Sequence, residues 1–503
     1  MEALTIRLCR IASVTGGAGE AAVVAALAEH IRRTDQRSRL DVRTVVSDHD
    51  RLHRPNLICH LAGTNRQVVV LLGHVDTVGT ADYGALRPLA TDPLALTERI
   101  AKGAMGGAMA ELAQGGEWLF GRGVLDMKSG LAVAAGVLLR RARDQVSGPH
   151  LLFAACADEE ATSLGARTVG PWISRFCSER GLQLAGVIKT DFTASITEGQ
   201  PRRIYSASVG KVLLGVSVFG VVSHAGEPEA GLDPNRLLAG ITTALTYRPH
   251  LADRTADGET APVVVTLSQS DDKRRYDVQT PIAAHALYNL LQVRSAPSER
   301  LQTMLAEIRQ AVAAQEAEMR GLSRGWPVSV CTWSELWQAA SGAVRRSLER
   351  QAARLAGQQP HQLNRRLVER LVALTGTAPA VVVYVAAPPI PRVTSSAALS
   401  HRLNGLAAQG QPVVNAGHFP FISDLSFMVD SPDQQDRKVL ADLPQLLGKT
   451  PDPPVLAPGE VILAGPCGDG AHRADERLER RYTFSVLPSL VDSLVDRLAA
   501  EGS

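Results

Sequence analysis

The 503-residue sequence has no large excess of charge of either sign and no long apolar run. Its 53 Lys and Arg residues against 51 Asp and Glu residues give a net charge of +2. These cations are scattered rather than gathered into a stripe, which excludes a basic nucleic-acid surface. No apolar run approaches the roughly 20 residues of a membrane span, and the N-terminus lacks a basic-then-apolar signal segment. We therefore expect a cytoplasmic protein without nucleic-acid or membrane partners.

Paired-cysteine motifs and nucleotide-binding loops are also absent. The six cysteines are far apart in sequence and show no CxxC spacing, which predicts buried free thiols. No GxGxxG follows the first strand and no GxxxxGK[ST] occurs anywhere in the sequence. A nucleotide-binding enzyme, which an α/β pattern alone would permit, is therefore disfavoured.

What the sequence does contain is an alternation of helical patterns and short apolar strands, which predicts an α/β fold. Three runs read as buried strands: QVVVLL from Gln67, LLFAACA from Leu151 and LAGVIKT from Leu184. Near Ser206 the pattern changes to one that resembles a small α+β unit of the βαββαβ type. We predict that this unit, residues 206–333, is inserted between two parts of the main domain, residues 1–205 and 334–503.

Metal-binding side chains follow several of these strands, where open α/β sheets gather their ligand sites. The segments are LLGHVDT, GRGVLDMKSG, ADEEATSLGA, VIKTDF and AGPCGDGAHRADE. Each is weak evidence alone, because single Asp residues commonly cap helices or turns and adjacent glutamates are common on surfaces. The candidate ligands that these segments supply are His74, Asp126, one of the adjacent Glu159 and Glu160, Asp191 and His472.

Together, two histidines and three carboxylates form the mixed nitrogen and oxygen set expected of a hydrolytic zinc site. Two ions about 4 Å apart need one shared carboxylate and about two further ligands each, so five residues suffice. Asp76, two residues after His74, can accept a hydrogen bond from the imidazole and orient it. The pattern therefore predicts a site for two divalent metal ions, with Zn²⁺ favoured and Mn²⁺ or Co²⁺ as alternatives.

The motifs GHVDT, GRGVLDMKSG, DEE and GPCGDGAHRADE resemble those of the co-catalytic zinc peptidases of clan MH. This group includes aminoacylase, carboxypeptidase G and succinyl-diaminopimelate desuccinylase. The resemblance implies a mixed-sheet catalytic domain with an inserted lid domain. It also implies that Asp126 bridges the two ions, that His74 and His472 bind different ions, and that Glu160 and Asp191 complete the set. By the same resemblance, Asp76 orients His74 and Glu159 is the general base.

The inserted unit contains GVVSHAGEPEAGLDPNRLL, which is similar to the family's lid segment. His224 occupies the position of a histidine that helps to bind substrate and to stabilise the oxyanion. Without the resemblance, a His before Gly and Pro is more often a turn residue. The resemblance also implies a homodimer through the lid domain and a cis peptide between Asp126 and Met127. We predict that the strand KVLLGVSVFGVV, which leads to His224, lies at an edge where it could pair with a second copy.

The sequence also departs from the common family pattern. The segment YDVQTP places Asp277 where many members have an asparagine before the proline, which leaves carboxylate recognition open at this point. A long spacer between His74 and Asp126, the ISDLSF segment and the C-terminal GPCGDGAHRADERLERRYTF are most like the subgroup called the arginine-utilisation protein RocB.

We therefore predict a metal-dependent hydrolase that cleaves an amide bond in a small peptide or an N-acyl amino acid. Arginine or amino-acid catabolism is the context implied by the subgroup, and the motifs leave open whether the enzyme is a peptidase or a deacylase. The alternative is a non-catalytic metal-binding or regulatory protein on the same fold, which the presence of Glu159 argues against.

Overall fold

The computed structural model describes residues 1–193, 201–320, 325–355, 358–406, 413–449 and 451–500. In chain order, the α-helices of these residues are α1 (Glu2–Cys9), α2 (Gly19–Thr34), α3 (Pro93–Ala101), α4 (Gly107–Gln114), α5 (Lys128–Asp144), α6 (Leu164–Arg180), α7 (Pro234–Leu245), α8 (Pro297–Glu318), α9 (Trp333–Ala339), α10 (Gly342–Leu355), α11 (Pro360–Thr375), α12 (Ala397–Asn404) and α13 (Leu487–Ala499). None of the helices in these described ranges combines the length and the apolar character that crossing a bilayer requires.

The strands of the same residues are β1 (Leu40–Val46), β2 (Pro55–Leu61), β3 (Gln67–His74), β4 (Trp118–Phe120), β5 (His150–Cys156), β6 (Gln183–Lys189), β7 (Arg202–Ile204), β8 (Ala207–Ser208), β9 (Gly210–Phe219), β10 (Val265–Asp271), β11 (Ala283–Gln292), β12 (Ser329–Thr332), β13 (Ala380–Val385), β14 (Val393–Thr394), β15 (Val413–Asn415), β16 (His418–Phe419), β17 (Glu460–Leu463), β18 (Gly468–Asp469) and β19 (Arg477–Glu479). They belong to two compact units. Unit 1 comprises Met1–Ser208, Val393–Ser431 and Pro454–Ser503, and unit 2 comprises Val209–Arg392 and Pro432–Pro453.

Unit 1 is built on a six-stranded mixed sheet with the order β1-β2-β5-β3-β6-β17. The four strands β5, β3, β6 and β17 run parallel to one another, whereas β2 pairs antiparallel with both β1 and β5. Every residue of β3 is buried, as its unbroken apolar sequence predicted. The α/β fold class with mixed sheets is therefore confirmed.

Small residues allow α5 to approach the strands of unit 1 closely. A side chain at Gly130 would meet the carbonyl oxygen of Thr190 at 1.8 Å, so only glycine fits where the helix passes the end of β6. Further along, the buried alanines and leucines of α5 pack with α1, α2 and α13 in one apolar core. The glycines and alanines of the GRGVLDMKSGLAVAAG segment thus bring the start of α5 against the ends of the central strands.

Unit 2 contains a five-stranded sheet with the order β10-β11-β9-β13-β12. Alternate residues of β13 face opposite sides of this sheet. Val381 and Val383 pack in a core with α7 and α8, and Val382 and Tyr384 pack in a second core with α9 and α11. Helices therefore cover both faces of the sheet.

The predicted edge position of the strand leading to His224 was wrong. That strand, β9, pairs with β11 on one side and with β13 on the other, so it lies inside the sheet. Its last five residues are all buried, without the polar alternation of an exposed strand. The sequence of β9 was apolar enough for an interior position, and its neighbours were too distant along the chain to be recognised.

Unit 2 also extends beyond the 206–333 segment expected from the sequence. Strand β13 pairs parallel with β12 and antiparallel with β9, so the sheet takes in residues well past 333. Two parallel neighbours need a long crossover connection, and here α9, α10 and α11 supply it. The charged helical stretch after residue 341 is therefore part of unit 2.

Candidate metal centre

Four neighbouring parallel strands of unit 1 bring most of the candidate ligands to one edge of the sheet. His74 ends β3, Glu160 follows β5, Asp191 follows β6, and the chain after β17 leads to His472. Because the carboxyl ends of parallel strands lie at the same edge, these side chains converge. The strand-end argument made from the sequence therefore describes how the fold positions them.

Asp126 lies between the two histidines and faces one with each of its oxygens. Its Oδ1 lies 3.0 Å from His74 Nε2, and its Oδ2 lies 3.0 Å from His472 Nε2. On the first side, His74 Nε2 is also 3.6 Å from Asp191 Oδ2. On the second side, His472 Nε2 is 3.1 Å from Glu160 Oε1. The five candidate ligands thus form two sets that share Asp126.

The backbone around Asp126 is held by the carboxylate of Glu476. Glu476 Oε1 accepts hydrogen bonds from the amides of Gly123 (2.9 Å), Leu125 (3.1 Å) and Asp126 (3.3 Å). Its other oxygen accepts one from Arg122 at 2.6 Å. Burial raises the pKa of Glu476 to about 7, although the charge of Arg122 opposes this. The Asp126–Met127 peptide is cis, which confirms the prediction from the resemblance.

Asp76 connects His74 to the pair of glutamates. His74 Nδ1 lies 3.1 Å from the Asp76 carbonyl oxygen and 3.6 Å from Asp76 Oδ1. The Asp76 carboxylate accepts hydrogen bonds from the amides of Glu159 and Glu160, both at 3.1 Å, and from the hydroxyl of Thr15 at 2.8 Å. Burial alone would raise the pKa of Asp76. The interactions with His74 and the hydrogen bonds from these donors outweigh that effect, so the pKa of Asp76 lies below its ordinary value. Asp76 therefore fixes both the imidazole and the glutamate loop.

Lys189, the last residue of β6, contacts both Glu159 and Asp191. Its ammonium donates to Glu159 Oε1 at 2.7 Å and lies 2.9 Å from Asp191 Oδ2. The Lys189 side chain is fully buried, and that of Glu159 is 12% exposed. Burial disfavours the ammonium, but the charges of Asp191 and Glu159 raise the pKa of Lys189 well above its ordinary value. Burial raises the pKa of Glu159 to about 8, against the opposing charges of Lys189 and His74.

Asp424 adds a further buried carboxylate to this region of unit 1. It lies in a short 3₁₀ turn, Asp424–Phe427, and is fully buried. Burial raises the pKa of Asp424, while the ammonium of Lys189 and the hydroxyl of Ser163 oppose this effect. Lys189 therefore contacts the carboxylates of Glu159 and Asp191 and interacts electrostatically with that of Asp424.

Comparison with known proteins agrees with this geometry. Residues 70–433 match peptidase family M20/M25/M40. The chain belongs to this family.

Two relatives from Bacillus subtilis (strain 168) match most of the chain. YqjN, an uncharacterized protein, is 28% identical over 86% of this chain and 84% of its own length. Protein RocB is 27% identical over 98% of this chain and 93% of its own length. Among solved structures, aminopeptidase PepT from Bacillus cereus shares the fold with a TM-score of 0.54 and 13% identity, covering 98% of this chain and 97% of that one.

M20 enzymes are metal-dependent hydrolases, and the donor set of this chain fits such a role. Zinc bonds of about 2.0–2.2 Å place neighbouring ligands of a tetrahedron about 3.3–3.6 Å apart. The four distances given above, 3.0 to 3.6 Å, are within a few tenths of an ångström of this range. His74 Nε2 and Asp126 Oδ1 are both buried and have no hydrogen-bond partner among the described residues. Two buried acceptors facing each other are a cost that a bound cation removes.

The electrostatics of the two histidines also favour a cation. Burial lowers the pKa of His74, but the charge of Glu159 and the adjacent carboxylate of Asp126 raise it well above its ordinary value. Hydrogen bonds to Asp126 and Glu160 raise the pKa of His472 to about 11. Positive charge is therefore favoured at both positions between the carboxylates, whether a proton or a metal ion supplies it.

The remaining site residue from the sequence, His224, belongs to unit 2. Its side chain is exposed, and its Nδ1 accepts a hydrogen bond from the Gly226 amide at 3.0 Å. Asp277, also exposed, pairs with Lys273 in the same unit. Neither residue belongs to the cluster in unit 1, so the role of His224 remains a prediction.

Sequence reasoning missed three residues that organise the centre. Lys189 was counted only as part of a strand, although KTD places a cation two residues before a predicted ligand. Glu476 lies within the GPCGDGAHRADE motif, where only the histidine was assigned. Asp424 belongs to the ISDLSF segment, which was noted only for its resemblance to the RocB subgroup. A charged residue within apolar surroundings was the available signal for Lys189 and Asp424, whereas the charged segment around Glu476 offered no such signal.

Proposed function

We propose that this protein is a two-metal amidohydrolase that cleaves an amide bond in a small peptide or an N-acyl amino acid. The observation that carries the proposal is the position of Asp126, whose two oxygens each lie 3.0 Å from a different histidine. A carboxylate placed in this way suits a bridge between two divalent ions. Zn²⁺ is favoured by the mixed nitrogen and oxygen donors, with Mn²⁺ and Co²⁺ as alternatives.

The proposed ligands divide into two sets. His74, Asp126 and Asp191 would hold one ion, and His472, Asp126 and Glu160 the other. When bound, the ions would lower the pKa of a water molecule and polarise the scissile carbonyl. Asp76 would keep Nε2 of His74 free for the ion and directed at Asp126, because its carbonyl oxygen accepts a hydrogen bond from the Nδ1–H group.

Glu159 is the proposed general base. It would take a proton from the attacking water as the bond between that oxygen and the amide carbon forms. When the carbon–nitrogen bond breaks, Glu159 would return the proton to the leaving amine, so that an acid and an amine are released. Lys189 holds one Glu159 oxygen at 2.7 Å and Asp76 holds the Glu159 amide at 3.1 Å. We assign Lys189 a positioning role because it acts through Glu159 and Asp191.

His224 is proposed to stabilise the developing negative charge on the carbonyl oxygen, acting from the lid. The support is the resemblance of its segment to that of the family and the exposure of its side chain. We also propose a homodimer formed through unit 2, on the same resemblance. Sedimentation of the purified protein would test the dimer directly.

The proposed substrates include N-acyl derivatives of arginine and small peptides. The similarity to protein RocB over nearly the whole chain supports an arginine-related context in amino-acid catabolism. Aminopeptidase PepT has the same fold, which supports small peptides as the second class to be tested. The substrate follows from the binding site rather than from the fold, so both classes belong in one screen.

The experiment combines metal analysis with a substrate screen. Purified protein is expected to retain about two divalent ions per chain after mild dialysis. It should hydrolyse at least one N-acyl amino acid or dipeptide when Zn²⁺, Mn²⁺ or Co²⁺ is supplied. Asp126→Ala should lose both metal and activity, whereas Asp144→Ala, which removes a carboxylate on the surface of unit 1, should lose neither. Metal content near zero in the wild type, or unchanged in Asp126→Ala, would overturn the proposal.

A further inference from the structure

Unit 2 contains a cavity of about 510 Å³ at the start of α11, on the sheet face that α9 and α11 cover. Residues of β10 and β11 line one side, and residues from the first two turns of α11 line the other. A second cavity of about 520 Å³ shares His285, Arg365 and Arg366 with it. The volume is that of a small-molecule site.

The lining of the first cavity is rich in hydrogen-bond donors. Among the described residues, it includes the guanidinium groups of Arg365 and Arg366, the hydroxyls of Ser268 and Ser270, two imidazoles and two glutamine amides, but no carboxylate. The nearest acid is Glu369, which lies 3.3 Å from Arg365 Nε and 3.6 Å from Arg366 Nη1. One carboxylate cannot occupy the ten N–H donors of two guanidinium groups, so the lining retains positive charge and free donors.

His285 contributes a buried donor whose contact with Glu369 lacks normal hydrogen-bond geometry. Its side chain is 5% exposed, and its Nδ1 lies 2.9 Å from the Ser217 hydroxyl. Its Nε2 lies 3.3 Å from Glu369 Oε1 and makes no hydrogen bond of normal geometry with any described residue. An Nε2 facing a carboxylate carries the proton, because the other tautomer would oppose two acceptors. Burial and the charges of Arg365 and Arg366 lower the pKa of His285 to about 4, so this donor is neutral.

Two further features favour negative charge in the cavity. The hydroxyl of Tyr384, a fully buried lining residue, has no hydrogen-bond partner of normal geometry among the described residues. Helix α11 begins at Pro360, and His361 in its first turn also lines the cavity. The N-terminus of this 16-residue helix adds the partial positive charge of the helix dipole.

We propose that this cavity is a binding site for a small molecule that carries a carboxylate or phosphate group. The oxyanion would be held by Arg365 and Arg366, whose planar guanidinium groups match such groups in two-point contacts. His285 and the serine hydroxyls would supply neutral donors, and the remaining volume would hold the rest of the molecule. A pair of surface arginines alone would be a solvated patch. The volume of the cavity and the buried imidazole of His285, whose Nε2 makes no hydrogen bond of normal geometry with the described residues, distinguish this site from such a patch.

The test uses the metal-loaded, full-length protein with inorganic phosphate and succinate as separate probes. Each probe is titrated by calorimetry at constant ionic strength, so that the screening of charges by salt is the same at every step of the titration. A probe that also binds at the metal centre gives the same heat signal in the wild type and in variants of unit 2. Comparing the two therefore isolates binding at the cavity. We expect one site per chain that depends on Arg365, with binding weakened at least tenfold in Arg365→Gln and in Arg366→Gln.

Two variants make the result specific. Arg370→Gln removes an exposed arginine of the same helix that lines neither cavity, and it should bind the probe as the wild type does. Ser270→Asp leaves both arginines in place and adds a negative charge at an exposed lining position, and it should abolish binding. Binding of one probe alone would identify the site as a phosphate or a carboxylate site. Equal loss in Arg370→Gln, or no Arg365-dependent binding of either probe at millimolar concentration, would overturn the proposal.

Discussion

The replacement Lys189→Met is the sharpest test of how the centre of unit 1 is organised. Methionine keeps much of the length of the side chain in a fully buried position but removes the ammonium that contacts Glu159 at 2.7 Å and Asp191 at 2.9 Å. Breaking a buried charge pair typically costs about 3–5 kcal/mol when the partner is left uncompensated. Divalent ions beside Asp191 would compensate much of that charge, so Glu159 is the residue most affected.

The expected result is a loss of turnover with little loss of metal. General-base catalysis contributes about 10²–10⁴-fold to a rate, which sets the upper limit if Glu159 is fully displaced. Loss of one charge-assisted hydrogen bond, worth about 1.5–3 kcal/mol, leaves Glu159 partly positioned by its backbone. We therefore expect kcat to fall by about 10–100-fold, since 1.36 kcal/mol corresponds to a factor of ten in rate. KM should change little, because Lys189 is not expected to touch the substrate.

The assay is steady-state hydrolysis of the best substrate from the screen, with metal content measured on the same samples. A double-mutant cycle with Glu159→Gln separates positioning from general damage. If Lys189 acts through Glu159, its loss should have a much smaller effect when Glu159 is already glutamine. Lys102→Met, which removes an exposed lysine of unit 1, should leave activity unchanged. Wild-type kcat in Lys189→Met, or full additivity in the cycle, would refute the positioning role.

Three other predictions concern the glutamate pair, Glu476 and His224. Glu159→Gln should keep the metal and lose most turnover, whereas Glu160→Gln should weaken metal retention; metal analysis with kinetics would expose a reversed assignment. Glu476→Gln should lower stability by about 1.5–3 kcal/mol and loosen metal binding, because buried Arg122 loses one of its two charged partners; denaturant unfolding measures the first effect, and an unchanged midpoint would contradict it. His224→Ala should lower turnover without changing metal content. Full activity of this variant would show that His224 is only a turn residue.

The strand-end ligands could be predicted because local sequence determines them. Buried parallel strands are unbroken apolar runs, and a polar residue directly after such a run lies at the carboxyl edge of the sheet. This reasoning located His74, Asp191 and the pair Glu159 and Glu160 without any knowledge of strand order, and the resemblance to the family selected Glu160 within the pair. The cluster in unit 1 contains His74, Glu160 and Asp191, with Asp126 and His472 completing it.

Strand pairing between distant segments could not be predicted from local sequence in the same way. Strand β9 was placed at an edge because nothing in its own sequence indicates that β13, more than 150 residues later, pairs with it. The same long-range pairing extends unit 2 past residue 333. Lys189 was missed for a related reason, because its partners Glu159 and Asp424 come from separate segments and only the folded chain brings them together.

The charge balance of the centre explains why a buried lysine belongs there. Six carboxylates lie in or directly beside the cluster of unit 1, from Asp76, Asp126, Glu159, Glu160, Asp191 and Asp424. Two divalent ions would supply four positive charges, so the ions alone would leave two negative charges in a poorly hydrated site. Lys189 supplies a fifth positive charge that cannot dissociate with the metal. It is therefore placed to keep Glu159 and Asp191 in position while ions enter, when charge repulsion between unpaired buried carboxylates would otherwise be strongest.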